Sequence, residues 1–285
     1  MFKFEFFKDE DKESGGEETQ RKPEISWKEC TEIKLDQLEN CHKITEECDH
    51  QLMELQDISL KYISSTDVIL KLIKDCDEED SLTVLKAEQK HSDLLTGIYE
   101  GGFKIWECTY DLAGYIQKQG LDFNAKTVLD LGCGAGIIGV LCAMKRGKCY
   151  FQDYNEEVLK HLTIPNLIIN NIDVKECRYF SGDWMSFSKY LENENLDENN
   201  KFDFIFSCET IYNLDNYDKL NHIFRSLLKK NGRIYVAAKS YYFGVGGGLS
   251  AFKDFIQKEN IFKVTSVWKH SNGLEREIIE IKFNE

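Results

Sequence analysis

Val128-Leu129-Asp130-Leu131-Gly132-Cys133-Gly134-Ala135-Gly136 is the stretch that decides the fold. An apolar, partly β-branched run ends in an acid and is followed by alternating glycines, and an apolar segment then starts at Ile137. That pattern predicts a buried strand, a tight turn and a helix whose first backbone N–H groups face a ligand. Downstream, apolar runs of strand length alternate with helical periodicity. Strands are expected over 127–131, 148–153, 176–180, 202–207 and 233–238, with helices over 137–145, from Asn155, and over 217–228 and 249–257. Parallel neighbours need crossovers, so this alternation predicts an α/β, doubly wound, mostly parallel sheet. Two last strands, over 262–269 and 276–282, flank Ser271-Asn272-Gly273 and read as an antiparallel hairpin. The expected total is a seven-stranded, Rossmann-like sheet.

Upstream, Gly101-Gly102 precedes a helix expected over 105–117, and the main domain is placed at 91–285. Residues 26–90 carry apolar positions at helical spacing, among them Leu52, Leu55, Ile58, Leu60, Val68, Leu70, Leu72 and Ile73. They are read as a helical accessory segment. Residues 1–25 divide into an aromatic-polar alternation over the first seven, which has the period of a strand, and an acidic linker containing Gly15-Gly16 and Pro23.

The formal net charge of -14 argues against binding to duplex nucleic acid and suits a basic partner. Ten cysteines without a C-x-x-C pair fit a reducing compartment, cytoplasmic or nuclear. No window approaches the roughly 18 apolar residues of a membrane span, so no membrane association is expected. Cys41, His42, Cys48 and His50 lie close together, but adjacent ligands on a helical pattern address one tetrahedral centre poorly. Helical surface is the expectation there, and no metal.

Gly134, Gly136 and Gly139 also satisfy the dinucleotide pattern G-x-G-x-x-G, so the glycines alone leave the ligand open. Asp130 helps to decide. A carboxylate two residues before the first glycine sits badly beside a pyrophosphate and well beside a ligand carrying a sulfonium and an amino group, which favours S-adenosylmethionine. Asp153 closes the next strand, where this fold class holds ribose hydroxyls. After the third strand come Gly182-Asp183-Trp184, an acceptor for an adenine amino group beside a flat apolar wall. A solvated loop acid and a core tryptophan would explain the same pair.

Several blocks carry a family resemblance: Gly101-Gly-Phe-Lys-Ile-Trp-Glu-Cys-Thr109, Phe151-Gln-Asp-Tyr-Asn155 and Phe180-Ser-Gly-Asp-Trp184, with Ser207-Cys-Glu-Thr-Ile-Tyr-Asn213 and Tyr242-Phe-Gly-Val-Gly-Gly-Gly248. Together with the glycine turn they resemble the histidine protein methyltransferases, a class I S-adenosylmethionine-dependent group that modifies a histidine of a large-subunit ribosomal protein. The resemblance covers about residue 91 onward plus the N-terminal Phe-x-Phe-x-Phe. It implies that Ile105, Trp106, Glu107, Cys108 and Thr109 line the cofactor and that Gly132 contributes its turn, to which the motif itself adds Gly134. It places Gln152, Asp153 and Tyr154 at the ribose, Gly182, Asp183 and Trp184 at the adenine, and Ser207 at the end of the fourth strand.

The implied reaction is in-line methyl transfer to a ring nitrogen of a neutral imidazole, which needs alignment and a fixed tautomer. Glu209, Tyr212 and Asn213 follow the fourth strand, where such enzymes receive the target atom. Glu209 would accept the N–H of the nitrogen that is not attacked, while Tyr212 and Asn213 fix the ring plane. A capping carboxylate is the plainer account of Glu209. The Gly244–Gly248 loop is expected to close over an inserted peptide. Glu209-Thr-Ile-Tyr212 also fits the acidic-x-x-aromatic motif of related lysine methyltransferases, and a non-catalytic escort of a basic ribosomal protein is a reading of another class. A monomer is expected.

Overall fold

The computed structural model describes residues 27–35, 39–75, 83–90, 92–194, 197–271 and 273–284. The expected strand over residues 1–7 and the linker after it lie outside these. The central feature is an eight-stranded sheet in the order β1-β6-β5-β4-β7-β8-β10-β9. Five strands run parallel: β4 (Thr127–Leu131), β5 (Lys148–Asp153), β6 (Arg178–Ser181), β7 (Phe202–Cys208) and β8 (Leu228–Lys239). β9 (Phe262–His270) and β10 (Arg276–Phe283) form the expected closing hairpin, with β10 antiparallel to β8. The eighth strand is the unforeseen β1 (Thr31–Glu32), antiparallel to β6 at the opposite edge. Two residues have too little periodicity to be read as a strand.

Side chains along these strands alternate between two cores. Val128, Phe151, Tyr179, Phe206, Tyr235 and Ile278 enter the core on one face, while Leu129, Leu131, Phe180, Ile205, Val236 and Ile279 enter the core on the other. This is the period-2 pleat of a sheet covered on both sides. The covering helices of the catalytic half are α4 (Glu107–Gln119), α5 (Ile137–Met144), α8 (Trp184–Asn193), α9 (Tyr217–Leu227) and α10 (Leu249–Gln257), together with a composite helix over residues 156–169. That helix begins as α6 (Glu156–Val158) and ends as α7 (Ile164–Ile169) around a π-helical turn, Leu159–Thr163. Pro165 accounts for the turn: it has no N–H to donate, and the Ile164 N–H reaches back five residues to the Leu159 carbonyl.

The accessory segment departs from the expected run of helices. α1 (Glu39–Glu47), α2 (Ser65–Asp75) and α3 (Thr83–Gln89) are helical, but β2 (His50–Leu55) and β3 (Ile58–Ile63) pair as an antiparallel hairpin. Met53 and Leu55 of β2 and Leu60 and Tyr62 of β3 are buried at alternate positions, whereas Leu52 is 57% exposed. Its turn is Gln56-Asp57, with Gln56 at φ +43°, and lacks the Asn-Gly or Asp-Gly chemistry that marks such turns in sequence. Cys41 and Cys48 are buried rather than on the expected helical surface, and the Cys41 thiol donates to the Lys160 carbonyl at 3.3 Å. Among the described residues no group of His, Cys, Asp or Glu is arranged to hold a metal ion, and no helix is long and apolar enough to cross a membrane.

Asparagine side chains from α7 and its C-cap satisfy the free edge of β3. Asn166 Oδ1 accepts from Ile63 N–H at 2.8 Å, and Asn170 both accepts from Lys61 N–H and donates to the Lys61 carbonyl. The Asn166 amide also donates to the Ala135 carbonyl of the glycine turn at 2.8 Å, so one buried side chain joins the accessory hairpin to the turn. Replacing Asn166 with Ala strands a buried donor and a buried acceptor and is expected to lower stability by about 2 kcal/mol. Urea denaturation checks this, with faster hydrogen exchange at the Ile63 amide as its local signature.

Candidate active site

The carboxyl ends of β4, β5, β6 and β7 open into one cleft. Asp130 shares a pleat face with Val128, so its side chain lies against α5, where Oδ2 accepts the Gly139 N–H at 2.8 Å. Asp153 ends β5 and spreads its oxygens between two backbone donors: Oδ2 accepts from Gly134 at 2.9 Å and Oδ1 from Asn155 at 3.0 Å. Gly134 stands at φ +51°, and a Cβ there would fall 2.9 Å from the Gly102 carbonyl oxygen. Only glycine allows the two loops this approach.

Burial raises both acids. Asp130 is lifted to about 7, with Asp153 adding to the effect and Gly139 N–H opposing it. Asp153 is lifted to about 6 against the pull of its N–H donors. Sequence alone predicts an ionised Asp130, yet its burial holds the carboxyl neutral up to about neutral pH.

Most of the expected cofactor residues converge here. Ile105, Trp106, Thr109, Asp130, Gly132, Gly134, Asp153, Tyr154, Gly182, Asp183 and Trp184 all line the cleft. Glu107, Cys108, Gln152 and Ser207 stand behind it. Five successive residues entering a helix cannot share one face. Cys108 therefore points into the core, while the largely exposed Glu107 side chain reaches Lys239 Nζ at 2.9 Å. Gln152 supports the wall from the opposite pleat to Asp153, accepting from Trp184 Nε1 and donating to the Gly182 carbonyl, both at 2.8 Å. Ser207 Oγ donates to the Leu131 carbonyl at 2.9 Å. Asp183 is a buried, engaged acid rather than a solvated one: it caps α8 by accepting from Met185 N–H and pairs with Lys219.

The end of β7 brings Glu209 and Tyr212 to the cleft wall and leaves Asn213 off it. Glu209 is buried at φ +57°, a left-handed conformation that few non-glycine residues adopt. It does not cap its own backbone. One carboxylate oxygen accepts the Tyr242 hydroxyl, and the other faces Cys108 N–H at 3.4 Å and Lys239 Nζ at 3.5 Å. Tyr212 lines the cleft and donates its hydroxyl to Glu100, whose second oxygen accepts from Gly97 N–H at 2.6 Å. Asn213 does not line the cleft: its side chain caps the following turn by accepting from Asp215 N–H. Nor is the Gly244–Gly248 loop free. Gly247 N–H donates to the Tyr212 carbonyl at 3.0 Å and Gly248 N–H to Tyr217 Oη at 2.9 Å, which pins the loop to the segment after β7.

Sequence reasoning missed Trp27, Glu100, Thr210, Asn216 and the buried Lys239. Glu100 had a signal, since it directly precedes the Gly101-Gly102 turn of the resemblance block. Trp27 had none, because it is brought in by an edge strand far from the motifs.

Fold and site define a class I methyltransferase, with a cleft over the switch point of a doubly wound sheet and acids at its first two strand ends. The chain belongs to the family described as "Lysine methyltransferase", whose profile matches residues 83–257, and within it to the histidine protein methyltransferases. It is 39% identical over 272 residues to the histidine protein methyltransferase 1 homolog of Bos taurus, covering 86% of this chain and 69% of that one. To the homolog of Dictyostelium discoideum it is 41% identical over 192 residues, covering 67% and 60%. The S-adenosylmethionine-dependent methyltransferase of Agrobacterium tumefaciens shares the fold at a TM-score of 0.51 and 9% identity, covering 82% of this chain and 69% of that one.

The residues present fit S-adenosylmethionine. Asp153 offers carboxylate oxygens to ribose hydroxyls, Trp184 and Tyr154 offer apolar walls, and the Gly132–Gly134 turn admits a ligand to the backbone. A raised carboxyl binds its proton in the folded state, so its stabilisation is complete below the ordinary carboxylate range and is lost as pH rises through the folded value. The free protein is therefore expected to lose thermal stability between about pH 4 and 7, and Asp130→Asn to flatten that slope. Hydroxyl donors favour the ionised Asp153, so affinity for S-adenosylhomocysteine is expected to fall as pH drops through about 6. Melting curves and calorimetric titrations across this range check both statements.

Proposed function

We propose that this chain transfers a methyl group from S-adenosylmethionine to an imidazole nitrogen of a histidine in a protein, the substrate being a basic protein of the large ribosomal subunit. Supporting the histidine acceptor are the histidine protein methyltransferase 1 relatives. Supporting a basic client is the net charge of -14, which would steer it toward this surface. Such a client places the reaction in the cytoplasm or nucleus.

The observation that carries the acceptor chemistry is the Tyr212–Glu100 pair on the cleft wall. Bound S-adenosylmethionine supplies an electrophilic methyl group on a cationic sulfur. A neutral imidazole has one N–H and one lone-pair nitrogen. Tyr212 donates its proton to Glu100, which leaves the phenol oxygen free to accept the ring N–H, and the lone-pair nitrogen then faces the cofactor end of the cleft. Burial and the adjacent Glu100 push the Tyr212 hydroxyl well above its ordinary value, so it stays protonated and keeps this polarity. Burial also raises Glu100, against the opposing Tyr212 and Gly97 hydrogen bonds. As the ring becomes cationic, Glu100 offsets the charge through Tyr212. Glu209, its oxygens already engaged, acts by position: it fixes Tyr242 and the left-handed turn that presents Thr210 and Tyr212.

Exposed Ile98, Leu214, Tyr241 and Phe243 are chain neighbours of these wall residues and offer apolar contacts to the flanking peptide. A lysine acceptor is the second reading, favoured by the description of the family profile. Radiolabelled transfer to cytosolic protein and purified ribosomal subunits, followed by hydrolysis, separates the two. Methylhistidine in a large-subunit protein is expected, and methyllysine would replace the histidine reading. Absence of label despite cofactor binding would leave an escort of the client.

Glu100→Gln is expected to lower kcat roughly ten- to hundred-fold while leaving S-adenosylhomocysteine affinity within about twofold. In the unmodified enzyme kcat should fall toward acid pH through ionisation of both Glu100 and the substrate imidazole, and the variant should keep only the limb set by the imidazole. Turnover of the variant within twofold of wild type would refute the assignment.

A further inference from the structure

Residues 27–33 run along the outer edge of β6 and cross toward the cleft. Thr31 and Glu32 pair with Ser181 and Phe180, and Ile33 N–H donates to the Tyr179 carbonyl at 2.8 Å. Farther along, Cys30 N–H donates to Ser186 Oγ at 2.8 Å, and Lys28 carbonyl accepts the Asp183 N–H at 2.9 Å. The strap is pressed so close that a Cβ on Gly182, at φ +115°, would fall 2.5 Å from the Glu29 carbonyl oxygen. These contacts deliver Trp27 to the cleft wall. Its ring meets Tyr154 edge-on at 6.0 Å between centroids, and Lys219 Nζ stands 3.3 Å from the indole centroid. Lys219 is itself held by Asp183, and the Tyr154 hydroxyl accepts from Lys28 N–H while donating to the Gly97 carbonyl.

Of the two groups against the Trp27 ring, Tyr154 follows β5, and Lys219 comes from α9 but is tied to Asp183, which follows β6. A doubly wound sheet holds the nucleoside at the end of the cleft beyond those strands. We propose that Trp27 is a wall of the nucleoside end of the cofactor cleft, carried there by the strap of residues 27–33, and that strap docking and cofactor binding reinforce one another. The proposal rests on the S-adenosylmethionine reading of the cleft. With Trp184 on the glycine-turn side and Tyr154 beside it, Trp27 adds an aromatic surface from outside the helix-and-strand alternation. Lys219 on the ring holds the indole in place by a cation–π contact. A ligand that touches Trp27 binds the docked strap better than the undocked one, so the ligand must favour docking in the same measure.

Calorimetric titration of the full chain with S-adenosylhomocysteine tests this without requiring turnover. Trp27→Ala is expected to bind roughly ten-fold more weakly, and Trp27→Phe to recover most of the loss. In the wild-type chain, S-adenosylhomocysteine is expected to slow hydrogen exchange at the Cys30 and Ile33 amides, which report strap docking whatever the variants do to folding. Trp27→Ala binding within twofold of wild type, or strap amides that exchange equally with and without ligand, would overturn the proposal. Failure of the wild-type chain to bind S-adenosylhomocysteine would instead overturn the cofactor reading beneath it.

Discussion

The rest of the structure depends on two buried carboxylates turned onto backbone N–H groups: Asp130 onto Gly139, and Asp153 onto Gly134 and Asn155. Asp153 terminates β5 and Asp130 is the last residue but one of β4, so the glycine turn is flanked by an acid bonded to α5 and by one bonded to the turn itself. Burial makes this arrangement costly in its charged form. A cationic ligand with hydroxyl donors relieves that cost, and the turn is thereby matched to a particular ligand chemistry rather than to tight packing alone.

The post-β7 segment follows a similar logic. Glu209 occupies a left-handed backbone conformation, and Tyr242, Cys108 N–H and Lys239 hold it there. Strain of this kind persists only where surrounding contacts over-determine it. Here those contacts come from α4 and from the end of β8, so the acceptor wall is built from three elements distant in sequence. Tyr212 is placed by the same turn and meets Glu100 from the loop before α4. Glu209 lines the cleft with its oxygens already engaged, and the second acid on that wall, Glu100, lies outside the motif's strand end.

The accessory segment is part of the same body. Ile33, Met53, Leu60, Val68 and Leu85 share one core with Val128 and Ile278, and Glu157 caps α3 by accepting from Thr83 and Val84 N–H. Asn166 ties the hairpin to the glycine turn. Changes in the segment can therefore reach the cleft through α7 and the strap, although among the described residues Trp27 is the one accessory side chain on the cleft wall.

The sequence by itself determined the sheet, its direction and its switch point. Long apolar runs bounded by glycine turns leave a parallel strand as the only element that can bury both faces, and β4, β5 and α10 fall where periodicity placed them. It also determined which strand ends carry acids, because a carboxylate closing an apolar run has few other uses. It missed the β2–β3 hairpin, because Leu52, Leu55, Ile58 and Leu60 fit helical spacing and the Gln56-Asp57 turn lacks the glycine that would have opposed it. Only the tertiary structure decided which neighbours in a motif face the cleft. Cys108 and Thr109 are adjacent, yet one enters the core and the other the site, since a helix turns about 100° per residue. Only the tertiary structure, too, engaged Glu209, brought Glu100 to Tyr212 and laid Trp27 beside Tyr154. Those pairings join residues 33, 112 and 127 positions apart, and no local pattern encodes the hydrogen bonds and edge pairing that close such distances.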